Sequence, residues 1–383
     1  MVSRAYPRLL KPPTESFFLL GLRGSGKSTW AREHFPRAAK YDLLDESLYQ
    51  AYLRDPGLFG GELRRLPRGA WVVIDEVQRL PGLLNDVHRA IENQGLRFVL
   101  LGSSARKLKT AGTNLLAGRA IVRSLHPFVP AELGRDFNLD EVLRYGSLPI
   151  VWQAPSKRDR LDAYAQLYLR EEIQAEALVR NLSGFARFLP IAALFHGQVI
   201  NVAGLSRDAG VARTTVSGYL EILVDTHLIT VLPAYEARLR VKERKHPKLY
   251  WADPGIVRAM KRSFHEPIAE ERGPLLEGWV AELLKAHNAY APFYDELFYW
   301  APSQGSLEVD FVVKRGAELV AIEVKSTARP RESDFAGLRA IAGLPQVTRR
   351  ILVHTGPRAY DTADGVEALP VLHFAELIAA GTL

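Results

Sequence analysis

The chain has 383 residues and a formal net charge of +7, so it is too long for one ordinary hydrophobic core and is expected to form two or three domains. The absence of cysteine excludes disulfides, thiolate nucleophiles and cysteine-based zinc sites. Because no apolar stretch is long enough to span a bilayer and the N-terminus lacks a signal-peptide pattern, we expect a cytoplasmic protein with no membrane partner. The positive charge is compatible with a polyanionic partner, either nucleic acid or an acidic protein surface.

A glycine-rich loop follows the first predicted strand, Phe17 to Leu20, and precedes a predicted helix. In such a phosphate-binding loop, converging backbone N–H groups hold the anion, Lys27 reaches the terminal phosphates and the Ser28 hydroxyl binds Mg²⁺. The positive end of the following helix strengthens this field. The alternative is a chance glycine-rich turn. We predict ATP and Mg²⁺ as cofactors, with the nucleotide held by Gly21, Arg23, Gly24, Ser25, Gly26, Lys27, Ser28 and Thr29.

Two carboxylates end the apolar strand predicted at 71–76, as in a Walker B motif. Asp75 would hold Mg²⁺ through water, and Glu76 would polarise the attacking water, so Glu76 and Lys27 are the first candidate catalytic residues. The alternative is a strand followed by an ordinary acidic helix cap. Strands and helices alternate from residue 17 to about 101, which predicts a parallel, doubly wound sheet with the nucleotide at its carboxyl edge.

Two further polar residues are candidates for sensing the nucleotide. Ser103 or Ser104 follows the strand at 96–101 and would sense the γ-phosphate, unless the serine pair merely turns the chain. Arg119 would stabilise transition-state charge, in its own subunit or a neighbour, or else end a surface helix.

These motifs, together with Pro127-Phe128 and the turn Gly146-Ser147-Leu148-Pro149, resemble the prokaryotic AAA+ ATPase family that carries a C-terminal nuclease-like domain. The resemblance implies ATP hydrolysis at subunit interfaces. It therefore implies a homo-oligomeric ring or partial ring, with a hexamer as one option. The turn departs from the family's Gly-Gly-Phe-Pro-like turn in its small helical lid.

Apolar residues spaced by three and four dominate 131–195, which predicts a helical lid and linker. Arg170 lies there, either as a second nucleotide sensor or as an exposed helix arginine. Segments 202–211 and 212–224 have helix-turn-helix spacing, and segments 228–232 and 238–242 would form a wing. The candidate DNA-binding residues are Arg213, Thr214, Thr215, Ser217, Tyr219, Arg238, Arg240 and Lys242. The basic run 244–248 favours DNA, whereas the alternative is a winged helix that only packs domains or subunits.

A second acidic pattern lies near the C-terminus. Asp310 on one predicted strand and Glu323 with Lys325 on the next match the PD-(D/E)xK nuclease core, and Glu277 matches its helical glutamate. Asp310 and Glu323 would bind Mg²⁺ while Lys325 orients the water. The alternative is a salt-bridged structural relic without activity.

We therefore predict an α/β protein with an AAA+ P-loop NTPase core at 1–129, a small helical lid and linker at 130–195, a winged-helix domain at 196–250, and an α/β restriction-endonuclease-like domain at 251–383. The predicted function is an ATP-hydrolysing motor that binds DNA and remodels or translocates on it, branched DNA included. Two alternatives stay open: an ATP-regulated, metal-dependent DNA nuclease, and an ATP-dependent switch that binds DNA or protein.

Overall fold

The computed structural model describes residues 6–104, 116, 118–168, 182–235, 246–302 and 307–383, and for 167–168 only the backbone. The chain forms two compact units. One comprises residues 7–127 with 225–227, and the other comprises 128–224 and 228–383 with the first six residues. Among the described helices, none is both long and apolar enough to cross a membrane.

The first unit is built on five parallel strands in the order β2-β3-β4-β1-β5. The strands are β1 (Phe17–Leu20), β2 (Ala39–Asp42), β3 (Trp71–Asp75), β4 (Arg97–Gly102) and β5 (Ile121–Ser124). The helices are α1 (Lys27–His34), α2 (Glu46–Arg54), α3 (Leu58–Leu63) and α4 (Leu84–Gln94), with 3₁₀ turns at Val77–Arg79 and Pro81–Leu83. The predicted parallel α/β core is confirmed.

Both faces of this sheet are covered, which is why its strands are nearly continuous apolar runs. On one face Ile74 and Leu100 are fully buried in a cluster with Leu84 and Val87 of α4. On the other face the ring of Trp30 from α1 packs edge-on against Phe17, with ring centroids 6.0 Å apart. The sheet therefore fixes the end of β1 and the start of α1, between which the glycine-rich loop runs.

The second unit opens with short helices. They are α5 (Pro130–Leu133), α6 (Leu139–Tyr145), α7 (Pro149–Trp152), α8 (Lys157–Ala163), a π-helix (Tyr164–Tyr168) and α9 (Leu182–Leu194), with a 3₁₀ turn at Gly134–Asp136. This agrees with the helical periodicity of the sequence in this region.

A three-stranded antiparallel sheet follows, in the order β6-β8-β7. Its strands are β6 (Gln198–Val199), β7 (Ile229–Leu232) and β8 (Lys248–Trp251), and the helices α10 (Val202–Ala209) and α11 (Arg213–Asp225) lie between β6 and β7 in sequence. Gly210 ends α10 with a φ of 63°, a left-handed conformation that glycine adopts without strain.

The C-terminal part contains a six-stranded mixed sheet in the order β13-β14-β12-β11-β10-β9. Its strands are β9 (Glu296–Trp300), β10 (Val309–Arg315), β11 (Glu318–Lys325), β12 (Val347–His354), β13 (Tyr360–Asp361) and β14 (Glu367–Pro370). The helices are α12 (Pro254–Met260), α13 (Ala269–Tyr290), α14 (Ala336–Ile341) and α15 (Val371–Ala379), with a 3₁₀ turn at Glu332–Phe335. β11 and β12 are parallel, whereas β10 is antiparallel to both of its neighbours.

The carboxylate of Asp253 joins the turn after α6 to the start of α12. It accepts the N–H of Ser147 at 2.7 Å and the N–H of Ile256 at 3.2 Å. Gly146 has a φ of 76°, and a Cβ there would lie 1.8 Å from Asp253 Oδ1. Burial raises the pKa of Asp253 to about 7. These contacts cross the predicted domain boundaries at 195 and 250, so the four-domain division stays a prediction.

Candidate functional sites

The glycine-rich loop has the backbone conformation that its glycines permit. Gly24 and Gly26 have φ angles of 77° and 92°, and a Cβ on Gly21 would lie 2.3 Å from the carbonyl oxygen of Leu125. Lys27 is buried, and its Nζ donates to the carbonyl oxygens of Gly21 at 2.7 Å and Leu22 at 3.0 Å. The ammonium group of Lys27 is therefore held against the backbone of the glycine-rich loop.

The remaining loop residues differ in exposure. Ser25 is fully buried, and its Oγ has no hydrogen-bond partner among the described residues. Arg23, Ser28 and Thr29 are exposed, and the Thr29 hydroxyl accepts from Arg32 at 3.2 Å. Sequence analysis missed Arg8, whose guanidinium donates to the carbonyl oxygens of Ser25, at 2.8 Å, and His126. No motif includes this arginine, so only its contacts reveal it.

Ser28 and Asp75 meet at the carboxyl edge of the sheet. Asp75 lies at the end of β3 and Ser28 in the first turn of α1, close enough for the Ser28 side chain to lower the pKa of Asp75. Burial is the larger effect and raises this pKa, although Ser28 and the charge of Lys27 oppose the shift. A hydroxyl and a carboxylate are hard oxygen ligands of the kind that Mg²⁺ prefers, so this donor set fits the predicted metal.

Gln78 connects the predicted catalytic Glu76 to Ser103. Its Nε2 donates to Glu76 Oε2 and to Ser103 Oγ, the latter at 3.1 Å. Glu76 has a φ of 53°, unusual for a residue other than glycine, and its N–H donates to Asp75 Oδ1 at 3.0 Å. A Cβ at Gly102 would lie 2.8 Å from Gln78 Oε1, so glycine leaves room for this amide. Sequence analysis gave Gln78 no role, although it lies only two residues after Glu76.

The neighbouring Ser104 is fully buried, like Ser103, at the end of β4. β4 lies between β1 and β3, so both serines leave the sheet at the edge where the glycine-rich loop begins.

Arg119 lies near the amino ends of the strands, opposite the carboxyl ends where the glycine-rich loop begins. It precedes β5, whose first residue Ile121 is paired with Phe17 at the start of the parallel strand β1, whereas the glycine-rich loop follows the end of β1. Its Nε forms an ion pair with Glu92 near the end of α4, and this bond lowers the pKa of Glu92. Arg119 is therefore separated from the loop of its own chain by the length of the sheet.

The four residues of the predicted nuclease pattern converge in the second unit. Asp310 of β10 and Glu323 of β11 are neighbours, and Glu323 Oε2 accepts the backbone N–H of Asp310 at 3.3 Å. Asp310 Oδ2 accepts the N–H of Val324 at 2.9 Å. Lys325 Nζ donates to Glu323 Oε1 at 2.5 Å. Glu277 of α13 completes the group, which the register of the two strands brings together.

A lysine that sequence analysis assigned to a DNA-binding basic run lies inside this group. Lys248 of β8 exposes 1% of its side chain, and its Nζ contacts Glu277 Oε1 at 2.8 Å and Asp310 Oδ1 at 3.2 Å. It also pairs with Glu308, a second residue that sequence analysis missed. Tyr250, two residues further along β8, donates its hydroxyl to Glu277 at 2.5 Å. Burial makes Lys248 unavailable to DNA, so that part of the basic-run interpretation is wrong.

Opposing effects act on the ionisation of this cluster. Burial alone would lower the pKa of Lys248, but the charges of Glu277 and then Asp310 outweigh it and hold this pKa well above its ordinary value. Burial, followed by the charge of Asp310, raises the pKa of both Glu277 and Glu323. Lys248 is therefore held as a cation beside Glu277, whose own ionisation is made harder by burial.

The predicted DNA-binding residues of α11 are only partly on the surface. Arg213 and Thr214 are exposed, whereas Thr215 and Ser217 are half-buried. Tyr219 is 4% exposed, and its ring centroid lies 4.9 Å from that of Phe185, so its prediction as a groove-facing residue is wrong. Arg170, Arg238, Arg240 and Lys242 lie outside the described residues.

Comparison with protein families agrees with the geometry of the first unit. Residues 14–134 match a family model described as "AAA domain". This segment is similar to AAA domains. The rest of the chain matches two families described as domains of unknown function, DUF8612 at residues 136–266 and DUF4143 at residues 272–374. The segment that is similar to AAA domains is thus followed by two segments whose families carry no described activity.

Two curated relatives span most of the chain. The uncharacterized proteins Rv2008c of Mycobacterium tuberculosis and Mb2031c of Mycobacterium bovis are each 28% identical over 362 residues, covering 92% of this chain and 79% of the relative.

Among solved structures, the Aeropyrum pernix ORC1 protein in complex with DNA has a TM-score of 0.27 at 16% identity, covering 66% of this chain and 87% of that one. The STAND protein PH0952 of Pyrococcus horikoshii has a TM-score of 0.24 at 15% identity, covering 72% and 45%.

Proposed function

We propose that this chain hydrolyses ATP and uses the reaction to move along or remodel DNA. The observation that carries the ATPase part is the meeting of Ser28 and Asp75, which brings the helix after the glycine-rich loop close to the end of the Walker B strand beside Glu76. The match of residues 14–134 to a family described as "AAA domain" supports the same conclusion.

Each residue at this edge of the sheet has a distinct task. Lys27 binds the terminal phosphates, and Glu76 accepts the proton of the attacking water. Ser28 and Asp75 would hold Mg²⁺, which supplies positive charge against the phosphate oxygens. Gln78 keeps the Glu76 carboxylate and the Ser103 hydroxyl in one network, so that both face the same phosphate.

The DNA-binding part of the proposal rests on the elements between residues 196 and 250. Two helices joined by a glycine turn, followed by antiparallel strands, have the order of a winged helix. Arg213 and Thr214 are exposed at the start of α11, where a recognition helix contacts bases and phosphates. The net charge of +7 favours a polyanionic partner.

We further propose that residues 251–383 have a restriction-endonuclease-like fold and that the chain works as a homo-oligomer. The fold is supported by the antiparallel pair β10–β11 that carries Asp310, Glu323 and Lys325, with Glu277 on the preceding long helix. The oligomer is supported by Arg119, which lies at the opposite edge of the sheet from its own nucleotide loop and would serve a neighbouring subunit.

The deciding experiment measures ATPase rate with Mg²⁺ while single-stranded, duplex and four-way-junction DNA are added at one fixed salt concentration. We expect one DNA form to stimulate the wild-type rate strongly. Lys27→Ala should abolish turnover, and Glu76→Gln should lower it by about 10²-fold or more while nucleotide still binds.

The outcomes separate the candidate functions. ATPase activity retained in Lys27→Ala would reject the site. Normal activity without stimulation by any DNA would reject the motor and favour a nucleotide switch that acts on a protein partner.

A further inference from the structure

The restriction-endonuclease-like fold implies a divalent metal ion between its carboxylates, and the residues present can be tested for that fit. One oxygen from each of Glu277, Glu308 and Asp310 lies within 4.8 Å of the others, a spacing that suits a metal ion. However, the Lys248 ammonium contacts all three of these carboxylates. The arrangement therefore does not fit a metal ion, because a fixed cation of the chain already stands between the ligands.

The second oxygen of Asp310 and both oxygens of Glu323 are also engaged. Asp310 Oδ2 accepts from the backbone of Val324. Both oxygens of Glu323 are bonded, one to the N–H of Asp310 and one to Lys325. A metal-dependent nuclease needs these oxygens for the metal, and it needs Lys325 to orient water. Here the lysine and the carboxylates bond to one another.

The strand that carries Lys248 holds its ammonium group among the carboxylates. It lies on β8, which is paired with β6 on one side and β7 on the other. Its neighbours Leu249, Tyr250 and Trp251 are each at most 1% exposed, so the strand that carries it is part of the core. Withdrawing the ammonium would leave buried carboxylates unpaired, which is strongly unfavourable.

We propose that Lys248 is the resident cation of this acidic site and takes the place of a divalent metal. The second unit then does not cleave DNA through this site. Instead, the ion pairs of Lys248 join β8 to α13 through Glu277 and to β10 through Asp310. The proposal rests on these contacts alone and is independent of ATP hydrolysis by the other unit.

The test uses the full chain without nucleotide and measures Mn²⁺ binding by calorimetry. The four proteins are wild type, Lys248→Ala, Asp310→Asn and the double variant. We expect Asp310→Asn to leave the Mn²⁺ binding of wild type unchanged. Lys248→Ala should bind Mn²⁺ at least about tenfold more tightly, because it lacks the competing ammonium. The double variant should return to the wild-type value, which assigns the new binding to this site and not to the nucleotide loop.

Three results would overturn the proposal. Two concern the wild type: Mn²⁺ binding, or Mn²⁺-dependent DNA nicking, that is lost in Asp310→Asn. The third is a folded Lys248→Ala protein that gains no Mn²⁺ binding dependent on Asp310. If Lys248→Ala does not fold, acetylation of wild-type lysines decides. Lys248 should stay unmodified with or without millimolar Mn²⁺ while the exposed Lys40 reacts. Acetylation of Lys248 that appears only when Mn²⁺ is added would mean that the metal displaces it.

Discussion

At the scale of single residues, Gln78 determines how the Walker B glutamate is presented. Its side-chain amide donates to both Glu76 and Ser103, and Gly102 leaves the space for it. A carboxylate with a fixed orientation is a better base than one that samples several rotamers, because its proton-accepting oxygen is already positioned. In the proposed reaction Gln78 is therefore a positioning residue and not a proton acceptor.

We predict that Gln78→Leu lowers kcat for ATP by about tenfold or more while the Kd for ATP changes little. Binding depends on the glycine-rich loop, which this change does not touch. The control is Gln50→Leu, which removes a similar bond of 2.8 Å to Glu46 on the exposed helix α2. Equal kcat values for the two variants would mean that Gln78 does not position Glu76.

His196 makes the stability of the second unit depend on pH. Its Nδ1 accepts the N–H of Trp251 at 3.0 Å, and a Cβ on Gly278 would lie 2.2 Å from its ring. Burial lowers the pKa of His196 to about 3, so the folded protein keeps the ring neutral while the unfolded chain takes up a proton below about pH 6.5. The stabilising contribution is thus complete above that pH and is lost as the pH falls toward 3.

Between about pH 7.5 and pH 5.5, we predict that this group alone costs the wild type about 1.4 kcal/mol of unfolding free energy. Urea unfolding at both pH values measures the change. His196→Asn is the control, because its Oδ1 can accept the same N–H without titrating. Parallel losses in the two proteins would contradict the assignment to His196.

At the scale of elements, the helix α11 has one buried and one exposed face. Val216, Tyr219, Leu220 and Leu223 recur at helical spacing and are all buried. The tyrosine belongs to this apolar face despite its hydroxyl, which explains why treating it as a polar groove residue failed. Arg213 stands at the exposed start of the same helix.

We predict that Arg213→Ala weakens DNA binding and reduces the slope of log K against log salt by about one, as expected when one phosphate contact is lost. Fluorescence anisotropy with labelled DNA over a salt series measures both quantities. Arg358→Ala removes the same charge from an exposed loop of the C-terminal sheet and should leave both quantities unchanged. If the two variants behave alike, α11 is not the DNA-binding element.

At the scale of the whole molecule, the position of Arg119 bears on assembly. A residue at the amino edge of a parallel sheet cannot reach a phosphate at the carboxyl edge of the same sheet, so it can serve catalysis only in a neighbouring chain. Its partner Glu92 is half exposed, which leaves the pair accessible from outside.

We predict that Arg119→Ala lowers ATP turnover by about 10³-fold, as loss of an arginine finger does. Mixing it with the equally inactive Lys27→Ala should restore part of the activity, because the second variant supplies the arginine to an intact nucleotide loop. Mixing Arg119→Ala with the double variant Lys27→Ala/Arg119→Ala should restore none. Recovery in both mixtures, or in neither, would argue against a shared site.

The sequence by itself determined the glycine-rich loop, the Walker B strand and the alternation of strands and helices, because these depend on local spacing and on residue chemistry. The same holds for the order of Glu277, Asp310, Glu323 and Lys325 along the chain. The meeting of Asp310 with Glu323 and Lys325 followed from pairing two adjacent strands, which is a nearly local event, whereas Glu277 comes from a separate helix.

Tertiary structure alone decided the contacts that join distant segments. Lys248 contacts Asp310, 62 positions further along the sequence, and Gln78 contacts Ser103, 25 positions further along. No periodic pattern in the sequence predicts either contact. The insertion of β4 between β1 and β3 likewise depends on which strands pack together. The physical reason is that local patterns report which residues prefer burial, whereas the partner each one meets inside is set by the packing of the whole unit.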